Sequence, residues 1–165
     1  MHHICEWLGD LWAWYKPTDG EIYLGLACTV MAFMGAIVGY EILSLLVYDN
    51  ANVFPINYYQ IWAILTSVFA VSISFLCMSQ QFGERGLTGI FKAIKGGLIV
   101  TFLYSLIAGT LVLPLWGTMF GPFAFIMLFV TKPFIAFIWV GSLLTAHMLM
   151  CGWRVERELQ TSALT

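Results

Sequence analysis

Long apolar runs broken by short polar stretches organise this chain. Three runs stand out: Ile22 to Val47, Tyr58 to Ser79, and Gly97 to about Trp116. A hydrocarbon core about 30 Å thick takes roughly 20 helical residues, so each run is long enough to cross it. The first holds one charge, Glu41, near its far end, and the other two hold none. From Gly97 to Trp153 only Lys132 is charged across 57 residues. That is about 17 residues more than two spans require. Lys132-Pro133 divides the stretch. Proline suits the first turn of a helix, where its missing N–H has no partner anyway. A fourth span is therefore expected over 133–153, with the Lys132 ammonium reaching interfacial water. The remainder, 117–131, contains Gly121-Pro122 followed by Phe123 to Val130. A re-entrant or interfacial segment is the favoured reading. One long, tilted, proline-kinked helix from about Phe123 is the rival.

Two shorter stretches carry amphipathic spacing. Ile4, Trp7, Leu8, Leu11 and Tyr15 recur at helical intervals, with Glu6 and Asp10 opposite and Pro17 ending the pattern. A helix over 4–16 lying in the interface is expected, anchored by Trp7, Trp12 and Trp14. Leu87, Ile90, Phe91 and Ile94 alternate with Lys92 and Lys95, bounded by Gly83, Gly86 and Gly96-Gly97. This predicts a second interfacial helix over 86–96, held on anionic lipid by its lysines. The fold class is thus all-α: a polytopic integral membrane protein with four transmembrane helices and short interfacial helices.

Basic residues set the expected orientation. Arg85, Lys92 and Lys95 lie between spans two and three, and Arg154 and Arg157 lie in the tail over 154–165. The connection over 48–57 has no basic residue. Both termini are accordingly expected on the cytoplasmic side of a plasma or bacterial inner membrane.

Composition narrows the function classes. Of 165 residues, 61% are apolar and 10% charged, with a formal net charge of −2. Soluble domains average about 25% charged. Disorder, nucleic-acid binding and a soluble enzyme domain are excluded as readings. No GxSxG, HExxH or P-loop pattern occurs, so no enzyme activity is expected. Cys5, Cys28, Cys77 and Cys151 are too dispersed for a disulfide framework or zinc-finger spacing. Met1 to Tyr15 lacks the basic n-region of a secretory signal, so the first span is expected to be retained.

Few residues carry candidate chemistry. Glu41 and Lys132 are the charges nearest lipid, and this topology places them at similar depth, where they could pair. His147 is the one histidine within a span, and Cys151 lies four residues on, along the same helix face. Together they are weak candidates for a metal, and His147 alone for a tetrapyrrole. A carotenoid or quinone would suit the aromatic surface, though nothing in the sequence requires a cofactor. Small residues mark packing or partner-binding stripes: Gly35 and Gly39 on span one, Ser105 and Gly109 on span three. The expected function is a small non-catalytic subunit of a larger membrane complex, respiratory or photosynthetic in kind. It would contact the bilayer and other membrane subunits, or copies of itself. The alternatives are an oligomeric transporter or channel, and a haem-, pigment- or quinone-binding protein using His147.

Overall fold

The computed structural model describes residues 18–46 and 58–163. The interfacial helix expected over 4–16, with Trp7, Trp12 and Trp14, lies outside them. The described residues form helices joined by short connections, with no strand among them. Five α-helices follow in order: α1 (Asp19–Leu46), α2 (Tyr58–Cys77), α3 (Gly86–Val112), α4 (Gly117–Thr131) and α5 (Pro133–Ala163). Four of them, all but α4, are long and apolar enough to cross a membrane.

Local chemistry sets where the helices begin and end. Thr18 and Glu21 form a reciprocal cap on α1: the Thr18 N–H donates to Glu21 Oε2 at 3.0 Å, and the Glu21 N–H to Thr18 Oγ1 at 3.3 Å. Two otherwise orphaned donors are satisfied in this way. α3 stops at Val112 because Pro114 disfavours helical backbone at Leu113. α5 starts at Pro133, after Lys132 leaves helical geometry with ψ near 72°. The sequence predicts a separate surface helix over 86–96, but α3 runs unbroken through Gly96-Gly97. Those glycines serve close packing there: a Cβ on Gly96 would meet the Gln81 side chain at 2.7 Å, and one on Gly97 would meet Leu143 at 3.0 Å. Tertiary contact outweighs the roughly 1 kcal/mol that a helical glycine costs. α5 likewise continues past Trp153 into the expected tail.

α1 packs along both α2 and α5, and α2 along α3. Met31, Met34 and Val38 of α1 meet Ala70, Val71 and Phe75 of α2 and Ala146 and Met150 of α5 in one core. The connection after α2 folds back into the bundle, where Phe82 is fully buried with its ring 5.2 Å from Phe75. α3 and α5 are antiparallel: the Trp139 indole N–H donates to Thr101 Oγ1 at 2.9 Å, while Cys151 approaches the Glu84 carbonyl. The bundle thus has a Lys132 end and an Arg154 end. α4 begins where α3 finishes and ends where α5 starts, both at the Lys132 end. Its 15 residues span about 22 Å, short of a hydrocarbon core of about 30 Å.

Candidate functional site

The small-residue stripes are contact surfaces within the chain. A Cβ on Gly39 would fall 2.4 Å from Ser67 Oγ, and one on Gly35 would fall 2.5 Å from Val71. This brings the α1 and α2 backbones close together. Ser105 and Gly109 do the same for α3 and α4. A Cβ on Gly121 would lie 2.1 Å from the Ser105 carbonyl oxygen, and one on Gly117 would lie 1.7 Å from that of Gly109. Thr110 and Thr118 hydroxyls, 2.8 Å apart, tie the same pair. The α4 half of this contact, Gly117 and Gly121, is not singled out by the sequence reading, although GxxxG is its signature.

At the Lys132 end, Lys132 Nζ donates to Glu41 Oε2 and, at 3.3 Å, to Ser44 Oγ. The Ser44 hydroxyl in turn donates to the Glu41 carbonyl oxygen at 2.7 Å. The two charges nearest lipid therefore meet, and they tie the start of α5 to the last turns of α1.

The Arg154 end is more elaborate. The Gly83 N–H donates to His147 Nδ1 at 3.1 Å, within the buried interior. His147 Nε2 and Cys151 Sγ lie 4.0 Å apart. Nδ1 is thus occupied by backbone, and the imidazole anchors the connection after α2. Gly83 is required twice over: its φ is +86°, and a Cβ would lie 2.5 Å from the Met150 carbonyl oxygen. Arg154 reaches the Gln80 carbonyl oxygen and lies 3.7 Å from Glu84 Oε1. Lys92 Nζ donates to Glu84 Oε1 at 2.6 Å. That bond, partly opposed by desolvation and assisted by the positive charges of Lys92 and Arg154, holds the Glu84 carboxyl below the usual carboxylate range. Lys95, also on α3, is exposed. Among the described residues no group of three or more His, Cys, Asp or Glu is placed to hold a metal ion.

Two features lie between these ends. One is a cavity of about 720 Å³, lined by α1, α2, α3 and α4, with almost wholly apolar walls. Tyr104 borders it and belongs to an aromatic cluster: its ring stacks on Trp139 at 5.6 Å and meets the edge of Phe125 at 5.4 Å. The other is a repeated Gly-xxx-Thr device in which the threonine hydroxyl donates back to the glycine carbonyl. It occurs at Gly25/Thr29, Gly97/Thr101 and Gly141/Thr145, at 2.8, 2.8 and 2.9 Å. In α3 the notch is filled, with Leu143 on Gly97 and the Trp139 indole on Thr101. At Gly25 and Gly141 a Cβ would meet nothing within 4 Å, and Thr29 and Thr145 are exposed.

Comparison with protein-family models, curated proteins and solved structures finds no match. The sequence marks Gly97 and Thr101 as part of a small-residue stripe on span three, but neither the aromatic cluster nor the side chains that fill this notch are legible in it. Trp139 and Thr101 are 38 residues apart, and hydropathy does not say which faces of two spans meet.

Proposed function

We propose that this protein is a non-catalytic subunit of a larger membrane complex, docking other membrane helices against the outward notches of α1 and α5. The observation that carries the reading is the unfilled notch at Gly141/Thr145. Lipid tails are as apolar as leucine, so burying apolar side chains does not drive helices together in a bilayer. Close backbone approach at small residues does. Within this chain the same device at Gly97/Thr101 receives α5. The outward stripe of α5 has bulky Phe137, Leu144 and Met148 around Gly141 and Thr145, a shape that accepts a ridge from a neighbouring helix. By contrast, the exposed stripes of α2 and α3 present Trp62, Leu65, Phe69, Phe91, Leu98 and Phe102, with no notch among them.

Among the described residues, the basic side chains Arg85, Lys92, Lys95, Arg154 and Arg157 gather toward the Arg154 end, with Lys132 alone at the other. Under the positive-inside rule this supports a cytoplasmic Arg154 end, with both termini there, in a plasma or bacterial inner membrane.

The test is extraction in a gentle detergent, followed by mass identification of what co-purifies. A defined partner polypeptide at fixed stoichiometry, lost in Gly141→Leu while the fold is retained, supports the reading. Purification of the chain alone, or only with copies of itself, would count against it.

A further inference from the structure

The connection between α2 and α3 is held on α5 by an imidazole. His147 is 7% exposed, and its Nδ1 accepts the Gly83 N–H at 3.1 Å. A neutral imidazole has one accepting nitrogen and one that carries the proton. With Nδ1 accepting, the ring proton sits on Nε2, which faces Cys151 Sγ at 4.0 Å. That sulfur in turn lies 4.0 Å from the Glu84 carbonyl oxygen. Ring and thiol thus bridge the Gly83 N–H to the Glu84 carbonyl and close the connection's own backbone groups onto α5. Beside this bridge Gly83 packs on Met150, and Phe82 packs on Phe75 and Gly96.

Only the neutral ring fits this arrangement. A second proton would sit on Nδ1 and point at the Gly83 N–H, donor against donor. The charged ring would also find no free counter-ion. Glu84 of the connection is engaged by Lys92 of α3 and by Arg154 of α5, itself a cation. Arg85, next along the connection, is exposed. The thiols on the packed elements are Cys151 of α5, Cys28 of α1 and the exposed Cys77 of α2. Tyr23 of α1 rests on Gly152, and Glu156 lies against Gly20, further along α5. A buried charge without a partner is far costlier than a buried neutral group. α5 is one continuous helix, whereas the connection is a single 3-10 turn, Ser79–Gln81, and a short loop. The connection is therefore the part that yields. We propose that His147 is an acid-sensitive latch: protonation of its ring releases the α2–α3 connection from α5, withdraws Phe82 from the bundle and opens the Arg154 end.

The experiment follows hydrogen exchange of the Gly83 amide in the full chain, reconstituted in phosphatidylcholine nanodiscs. Protection factors are compared at about pH 7.5 and about pH 5, either side of the roughly 6.5 at which an unconstrained imidazole titrates. The released state binds the extra proton and the latched state does not, so release becomes about thirtyfold more favourable over that interval. A released glutamate titrates near 4.3, so Glu84 adds little above about pH 5. Protection at Gly83 should therefore fall about thirtyfold, with the Val71 amide, in the core of α2, unchanged. His147→Asn keeps an acceptor at the position of Nδ1 but does not titrate, so its Gly83 protection should change less than about twofold. Unchanged protection in the parent, an equal fall in His147→Asn, or an equal fall at Val71 would each overturn the proposal. Should His147→Asn fail to fold, the parent's exchange is joined by ring-nitrogen NMR in a His2→Gln, His3→Gln background, which leaves one histidine. A proton on Nε2 and none on Nδ1 is expected at about pH 7.5, and a proton on Nδ1 there would overturn the proposal.

Discussion

Gly83 and Gly86 offer a controlled comparison, because their backbones are alike and their surroundings are not. Both have positive φ, +86° and +85°. An alanine in that region costs about 1–2 kcal/mol at either site. At Gly86 a Cβ would meet nothing within 4 Å, whereas at Gly83 it would lie 2.5 Å from the Met150 carbonyl oxygen and 2.7 Å from its carbon. Both of those atoms are backbone, held within α5, so they do not rotate away. Forcing the connection outward adds about 1–3 kcal/mol of overpacking. It also stretches the 3.1 Å bond from the Gly83 N–H to His147 Nδ1, which is worth about 1 kcal/mol. Gly83→Ala is therefore expected to lose about 3–6 kcal/mol and Gly86→Ala about 1–2 kcal/mol. The assay is reversible unfolding of each variant by dodecyl sulfate titration in mixed micelles, followed by circular dichroism. Equal losses at the two sites would refute the reasoning, because they would mean that the contact with Met150 and the bond to His147 contribute nothing.

Two further outcomes follow from the close contacts and ion pairs. Gly117→Ala places a methyl group 1.7 Å from the Gly109 carbonyl oxygen, so α4 must separate from α3. A loss of about 3 kcal/mol or more is expected in the same titration, against less than about 1 kcal/mol for the exposed Thr118→Ala. Glu84 contributes to acid stability: its carboxyl titrates lower folded than unfolded, so its contribution is present above the unfolded carboxylate range. That contribution is lost as pH falls through the lowered value. Melting temperatures measured downward from about pH 5 should fall less steeply in Glu84→Gln than in the parent, since unfolded glutamate titrates near 4.3.

What was legible in the sequence is what depends on length, hydropathy and local spacing. The four spans follow from apolar runs set against bilayer thickness. The Lys132-Pro133 boundary follows from proline chemistry, and the break in the structure falls there. Topology places Glu41 and Lys132 at similar depth, where they could pair or each reach interfacial water, and it is the packed structure that joins them. The unbroken α3 was not legible, because a glycine pair reads as punctuation until its partners, Gln81 and Leu143, are known. The cap at Thr18 and Glu21 was legible as T-x-x-E but went unread. Tyr104, Phe125 and Trp139 converge from three helices, and uniformly apolar helices give little indication of which face turns inward. Gly141 and Gly35 likewise look equivalent in sequence. Only the packed structure separates the notch that is filled from the one that is open.

The claim that α5 docks a partner is tested most directly in the membrane itself. A photo-activatable amino acid is placed at Thr145, in the open notch, and at Phe69, on a bulky exposed stripe of α2. The native membrane is then irradiated and the adducts are resolved by mass. A discrete adduct with one other membrane polypeptide from position 145, and lipid adducts alone from position 69, is the expected result. Lipid adducts alone from both positions would contradict the account.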